Sequence, residues 1–589
     1  MTYGANIKRK PAEGSKGLTD ANINKIGLMG ATERGVAGIQ TGIYDFSAYS
    51  VKCGLYGSSK YAGVVAKSFF DTLLDSVNVE MKVLPFVASD SVQATDEIMD
   101  GAGTPVKIFD IKAGLKNVAD KSEYGNKLAW KSTQTFNMTY KLTTDSGATP
   151  TSLILNTVDN LEVGYYLKIA DGTNTEYAVI TAIATATKTI TFAALINTYT
   201  AALTTVYRAD WKLQIALKDF TGAYQEVEKW VDVPFAMSDS LGMPSLTNHV
   251  VSGSNYVVVT YNSGNTSAAG DNFPADVTTW TALSSGSDGT VAGDSDWNTL
   301  VEDFVDEDFM ILLAPESTSK AHNINMVTWT TENENACYYA QAANEASEAT
   351  LTDFGATLRG SIKFGMLPTD KWFEIDNPEA VGKRSIPAVG HLAAHFFNSV
   401  SLYGLKKVAA GWNYAINTND ELLDDNALVH DNDSGSGGIL ITDYSVNLAR
   451  KTAGVGTTIN SARTFSSDAG YQYQNQIMGW LFIKKSFLPY LQGLEQEPAG
   501  VNPQEQHLRD AKAFFLKHYK SGLFFIGQKT DGSATTFEDV VMIKNDFSVN
   551  TLADIQSGIE RIIAQVIFAP VIETPGLELA SAAVTTVRA

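Results

Sequence analysis

Between Ile459 and Gln476 the chain reads INSARTFSSDAGYQYQNQ, which sets Ser466, Ser467 and Asp468 just after Arg463. Two hydroxyls beside a carboxylate and a guanidinium are parts of a nucleophilic site. A serine attacks, however, only when a base, usually histidine, takes its proton and an oxyanion hole faces it. The closest histidines along the chain are His430 and His507, so folding would have to deliver the base. The plainer reading is a strand that ends in a polar turn and caps the following helix.

Other constellations are also incomplete. His391 and His395 stand four apart, so on a helix both rings reach one point. Leu392 occupies the place of the HExxH glutamate, and no third ligand is near in sequence. HDNDSGSGG opens like a calcium loop with Asp431, Asp433 and Gly435, but Thr442 sits where the bidentate glutamate belongs. NPEAVGKRS has the Gly-Lys of a phosphate loop without its earlier glycine, and Arg384 replaces the Ser or Thr. GSDG at 286–289 is a turn signal. These motifs predict neither an enzyme nor a cofactor or metal site.

Composition narrows the partners. Lys+Arg is 44 against Asp+Glu 65, a net charge of -21. That balance opposes binding to a phosphate backbone and suits solubility or a basic partner. Cys53 and Cys337 are the chain's 2 cysteines, too few for a disulfide framework or a thiolate zinc site. No run of apolar residues is long enough to span a membrane. The start MTYGANIKRKPAEGSKG lacks the apolar stretch of a signal peptide, so assembly in a cytoplasm is expected.

The elements that would position these residues follow from periodicity. A chain of 589 residues predicts three or four domains. Residues 1–22 hold few apolar anchors and predict an arm that packs on something other than its own core. Ile23 to Met29 and Gln40 to Ile43 read as strands, and VEMKVLPFV as a third. Between them KYAGVVAKSFFDTLLDS places Val64, Val65, Phe69, Leu73 and Leu74 at helical spacing, giving an α/β layer. Residues 136–207 are Thr-rich and alternating, the pattern of a small all-β unit inserted in a parent domain. ENENACYYAQAANEA predicts a helix. Farther on, Ile477, Leu481, Leu488 and Leu491 share one helical face, and Asn502 caps a second helix with Leu508, Ala511, Phe515 and Tyr519 buried. After Pro570 the tail is a single extended piece. The predicted fold is α/β and α+β multidomain: arm 1–22, core 23–135 and 208–385, inserted β domain 136–207, C-terminal domain 386–570 and arm 571–589.

INSARTFSSDAGYQYQNQIMGWLFIKKSF resembles a segment of the contractile (phage) tail sheath family. There a strand ending Ala-Arg-Thr leads into a Ser-Ser-Asp turn, and a Tyr-x-Asn opens a long helix. Other matches keep the family's order. INKIGLMGATERGVAGIQTGIYDFSAYSVKCG resembles its N-terminal strand and Arg-Gly turn, at Arg34 and Gly35. SEYGNKLAW is similar to its Pro-Gly-x-Trp-Gly-Asn segment, with Tyr124 for the Trp. LSSGSDG resembles its Gly-x-Asp-Gly loop, SIPAVGHLAA its Pro-x-x-Gly-x-x-Ala segment, and KSGLFFIGQ and FAPVIETPGLELA its closing strand and tail. The likeness covers roughly 1–125, 207–315 and 385–589; YGLKKVAAGWN matches its counterpart only loosely.

The resemblance implies a sheath-type core and a structural role. Subunits would stack as a helical homo-oligomer around a tail tube protein, with baseplate and tail terminator proteins at the ends. Contraction would drive the tube through a cell envelope without cofactor, nucleic-acid contact or membrane insertion, and the location would be the virion. It implies architectural roles for Arg34, Gly35, Arg463, Ser466, Asp468 and Asn475. The arms, with Tyr3, Ile7, Leu577 and Leu579, would add strands to neighbouring subunits. Lys484, Lys485, Lys512, Lys517 and Lys520, with Lys529, concentrate in the C-terminal domain and would face the tube. The alternatives are a tailocin or extracellular injection sheath, an acidic surface-layer or adhesin protein, and, if the Ser466 loop were catalytic, a hydrolase.

Overall fold

Strand Lys25–Gly30 buries every residue after its first, which marks a strand covered on both faces. The computed structural model describes residues 18–57, 60–101, 104–116, 118–235, 254–262, 273–377, 382–411, 414–416, 436–452, 456–494, 501–546 and 548–571. Lys25–Gly30 lies inside a six-stranded sheet ordered Gln40–Ile43, Glu80–Pro85, Lys25–Gly30, Ile311–Leu313, Cys337–Tyr339, Gly365–Met366. All ladders are parallel except the first, where Gln40–Ile43 runs antiparallel at the edge. Successive residues feed opposite cores. Ile26 and Leu28 pack with Val65, Phe69, Leu392 and Phe396. Met29 packs with Leu84, Met326, Val327, Leu351 and Phe354 on the other side.

The winding reverses once. From Lys25–Gly30 the chain passes through helix Ala62–Thr72 to its neighbour Glu80–Pro85, then returns on the far side as Ile311–Leu313. Setting aside the antiparallel edge, this is a doubly wound, flavodoxin-like order, which leaves a crevice at the carboxyl ends of the strands beside the reversal.

A β domain fills the long connection between the second and third parallel strands. One sheet runs Tyr224–Pro234, Asp210–Lys218, Leu128–Gln134, Val277–Ala282; another joins Val257–Tyr261, Lys107–Leu115 and Thr95–Met99. Ile111, Trp130, Trp211 and Ile215 share their core. Between Thr139 and Arg208 two smaller sheets enclose a separate core of Leu153, Leu155, Leu167, Ile169, Ile190 and Val206. This unit leaves and re-enters at one point of a hairpin, because Gln134 pairs with Trp211.

The C-terminal segment contributes to two cores. Helix Val389–Tyr403 and the first half of helix Gln474–Gly493, through Leu392, Phe396, Ile477 and Leu481, complete the core of the parallel sheet. The break expected at 386 is therefore not a break in packing. A separate core begins at Phe482 and gathers Phe514, Phe515, Leu523, Phe524, Val541 and Phe568, with helix Val501–Lys520 and the two-stranded sheet Val541–Lys544 and Ile563–Val566.

Several expectations are corrected. The helix expected over ENENACYYAQAANEA is instead the end of helix Lys320–Asn333, a left-handed Glu334 (φ 49), and strand Cys337–Tyr339. The sheet claims that apolar run, since Cys337 pairs with Ile311. Helix Phe46–Cys53, capped by the Asp45 side chain, was not expected. The first strand starts at Lys25 rather than Ile23, and Asn502 lies inside helix Val501–Lys520 rather than before it. Leu488 and Leu491 are 50% and 42% exposed, because helix Gln474–Gly493 runs on past its core. Residues 18–22, expected in an arm that packs on something other than its own core, lie on their own C-terminal helices: Ala21 N–H donates to Ser486 Oγ at 2.9 Å, and Asp20 pairs with Lys517 at 2.5 Å. Tyr3, Ile7, Leu577 and Leu579 lie outside the described residues. Among the described residues no helix is long and apolar enough to cross a membrane.

Candidate functional site

A doubly wound sheet takes ligands at its winding reversal, where a helix N-terminus offers free N–H groups to an anion. Here the chain supplies its own carboxyl group. Glu316 follows strand Ile311–Leu313, and its Oε1 accepts from Tyr61 N–H at 2.9 Å and Ala62 N–H at 2.8 Å, at the start of helix Ala62–Thr72. Burial pushes this carboxyl up to about 7, against the pull of those N–H groups and of Lys60. A Cβ on Gly30 would stand 2.9 Å from Ala62 Cβ and 3.2 Å from Glu316 Oε1, so the contact is tight.

Loops of the β domain close over the same end of the sheet. Arg34 is 0% exposed, and its Nε donates to Asp120 at 2.8 Å and its Nη2 to the Gly114 carbonyl at 2.9 Å. Its guanidinium lies 5.1 Å from the Tyr124 ring centre and 5.7 Å from that of Tyr256. Asp120 also accepts from Gly35 N–H at 2.8 Å and Ser122 Oγ at 2.6 Å. Only glycine fits at 35, where a Cβ would be 2.1 Å from the Lys121 carbonyl oxygen. The 286–289 loop completes the joint. Gly286 exchanges two hydrogen bonds with the Asn126 amide, at 2.8 and 2.9 Å. Asp288 accepts from Lys60 at 2.7 Å and from Glu123 N–H at 3.0 Å. Three motifs far apart in sequence thus meet as one interlocked joint.

A second joint forms around Arg463 to Gln476. Asn447 exchanges bonds with both Arg463 backbone groups at 2.8 Å and donates to the Leu367 carbonyl at 2.7 Å. Buried Ser466 donates to the Ser361 carbonyl at 2.7 Å, and Ser467 to the Gly360 carbonyl at 3.1 Å. Asp468 accepts from Gly470 N–H at 2.7 Å and folds the turn. The next helix opens with three buried amides, two of which tie it to separate segments while the third caps its own first turn. Gln474 bonds to Tyr339 and to Ala409 N–H, Asn475 donates to the Ala569 carbonyl at 2.9 Å, and Gln476 accepts from Tyr473 N–H at 2.9 Å. Sequence reading missed Asn447, Gln474 and Gln476. The signal available was three consecutive amides in a first helical turn, where apolar residues would otherwise fill a buried face.

These hydroxyls satisfy backbone carbonyls rather than a base. His507, one histidine considered for that role, pairs with Glu560 at 2.8 Å; His430 lies outside the described residues, as do Asp431, Asp433 and Gly435. Arg384 donates to the Lys60 carbonyl at 3.1 Å on strand Lys383–Ile386, which is not a phosphate loop. Cys53 and Cys337 are buried, and burial pushes the Cys53 thiol up to about 12, far from thiolate chemistry. Among the lysines, Lys484 bonds to Glu334 at 2.8 Å, Lys485 to Asp308 at 2.7 Å and Lys517 to Asp20, while Lys512 and Lys520 stand exposed. His391 and His395 do converge, with Nε2 atoms 3.0 Å apart.

No family model matches the chain, and no curated protein matches it. Solved structures that it is similar to are contractile-sheath structures. The sheath complex of an extracellular contractile injection system, PVC, in the contracted state is 14% identical with a TM-score of 0.39, covering 49% of this chain and 75% of that chain. The anti-feeding prophage helical sheath in the contracted state is 12% identical with a TM-score of 0.40, covering 51% and 78%. A sheath tail protein from Desulfitobacterium hafniense is 10% identical with a TM-score of 0.43, covering 96% and 100%.

Proposed function

We propose that this chain is the structural subunit of a contractile tail sheath of the phage type, polymerising helically around a tail tube and contracting to drive it through a cell envelope. What carries the reading is the convergence of sheath-like motifs. The Arg34-Gly35 turn, the Tyr124–Asn126 segment and the 286–289 loop build one joint, and Arg463 to Asn475 build another. Both joints tie remote segments together through side-chain hydrogen bonds, with the buried Arg34–Asp120 pair at the centre of the first and buried Asn447 and Ser466 bonded to backbone groups in the second. The 136–207 unit hangs from one hairpin point and would face outward, away from the tube. Lys512 and Lys520 would contribute to a weak contact with an acidic tube.

Lattice contacts would come from the arms. Among the described residues the two-stranded sheet Val541–Lys544 and Ile563–Val566 has no third strand, and a strand from a neighbouring copy would add at its edge. Each added backbone hydrogen bond contributes about 0.5–1.5 kcal/mol net, which becomes large only by repetition along a polymer. Deleting 571–589 should leave a folded, soluble monomer with nearly unchanged circular dichroism that forms no tubes in negative stain. Normal tubes from that truncation would move the lattice contacts back to the globular domains.

A further inference from the structure

Just past the carboxyl end of strand Glu80–Pro85 the surface opens into a groove of about 630 Å3. It is lined by Phe86, Val291 and Leu300 together with Asp90, Asp296 and Asp303. Phe86 N–H donates to the Gly30 carbonyl at 3.0 Å, which fixes the groove to the sheet. Asp90 accepts from Thr290 N–H at 2.8 Å and from its Oγ1 at 2.6 Å, and Asp296 accepts from Gly293 N–H at 2.8 Å. Between those two anchors along the chain, Val291 is 91% exposed. Glu302 and Asp303 follow on the short helix Val301–Phe304, and Asp306 lies just beyond; all three are exposed. Their neighbours Glu307 and Asp308 pair with Lys82 and Lys485, whereas among the described residues no cation pairs with Glu302, Asp303 or Asp306.

An apolar groove edged by carboxylates fits a segment that carries both apolar and cationic side chains. The chain begins with one. MTYGANIKRKPAEGSKG holds Tyr3 and Ile7 with Lys8, Arg9, Lys10 and Lys16 against Glu13 alone, in a chain whose net charge is -21. The described residues start at Leu18, ahead of the amino end of strand Lys25–Gly30, while the groove lies beyond the carboxyl end of its parallel neighbour. We propose that residues 1–17 of one copy dock in this groove of the next, with Lys8, Arg9 and Lys10 meeting the carboxylates around Asp303 and Ile7 covering Val291. Seventeen extended residues reach about 60 Å, well beyond the roughly 20 Å of a six-residue strand. Donor and acceptor at opposite ends of one sheet make a head-to-tail contact, which propagates as a filament rather than closing a dimer. The proposal rests on the reading that copies polymerise, and adds where the amino-terminal arm lands.

The test mixes two full-length variants, Lys10→Cys and Val291→Cys, at low ionic strength with a copper–phenanthroline oxidant. Cys53 and Cys337 are buried, so the introduced thiols react, and the mixed disulfide can form only between chains. Its yield, read by mass spectrometry, should exceed roughly tenfold that from Lys10→Cys mixed with Leu203→Cys, a 67% exposed position on the 136–207 unit. Adding Asp303→Lys to the Val291→Cys chain should cut the yield about threefold or more, and Arg9→Glu on the other chain should restore part of it. A yield no higher than the Leu203→Cys control, or one unchanged by Asp303→Lys, would overturn the contact. So would a chain bearing both cysteines that closes on itself while the mixture gives no product, since the groove would then belong to its own amino terminus. Negative stain of the unaltered protein keeps the two readings apart. Tubes without cross-linking sink only the groove contact, whereas cross-linking without tubes upholds the contact and sinks the sheath.

Discussion

Glu316 shows how one side chain sets the character of a whole crevice. Burial lifts its titration from 4.5 to about 7 and outweighs the backbone N–H groups of Ala62, Tyr61 and Ala31, which favour its charged form. Between those values the folded chain keeps a proton that the unfolded chain has released. Its contribution to stability is therefore complete below pH 4.5 and is lost as the pH rises through about 7. Glu316→Gln keeps an oxygen for Tyr61 and Ala62 but no longer titrates. The urea midpoint of the natural protein minus that of the variant should fall as pH climbs across this window, and a flat difference would refute the assignment. His322, which burial pushes down to about 4, contributes a slope of opposite sign in both proteins and cancels in the comparison. Nothing in LLAPE foretold this role, because the residues that Glu316 caps lie 254 and 255 positions earlier.

Among the elements, the Arg34–Asp120 pair fastens the first turn of the α/β domain to the β domain, and both side chains are 0% exposed. Removing one partner leaves an uncompensated buried charge, at a cost of about 3–5 kcal/mol. Arg34→Met and Asp120→Leu should each lower stability by that order, measured by denaturant titration. The double variant should cost much less than the sum; simple additivity would mean that the pair is not coupled. The Arg-Gly turn was legible as a turn, but its partner was not, since pairing across 86 positions leaves no local trace. Local signals fared better where one face was apolar, as in helix Ala62–Thr72. They failed at Cys337–Tyr339, where a buried parallel strand is apolar throughout and carries no period. At the Arg463 joint the strand, turn and helix could be read, while the remote carbonyls they satisfy could not.

At the scale of the whole molecule, the 136–207 unit has its own core but also lends its host Tyr166, with Phe136, Tyr177 and Val179 packed beside it. Tyr166 is buried beside Phe235 and Phe273 in the β-domain core. Replacing 136–207 with a short Gly/Ser linker would rejoin two strands that already pair, so the remaining chain should fold and still form contractile tubes, with a modest loss of thermal stability from the vacated Tyr166 site. Failure to polymerise would place the unit in the lattice.

The pairing of Ile26 with Ile311 also sets a timetable. At about 5–20 residues per second, a ribosome needs roughly 15–60 seconds to travel between those positions. Throughout that interval the strand at Lys25–Gly30 is finished yet lacks its neighbour on one side, while the β domain and its insertion emerge and can fold first. The newborn chain thus carries an apolar, half-paired sheet for close to half of its synthesis. Crowded polysomes expose many such edges at once, so the earliest hazard for this protein is premature association between nascent chains.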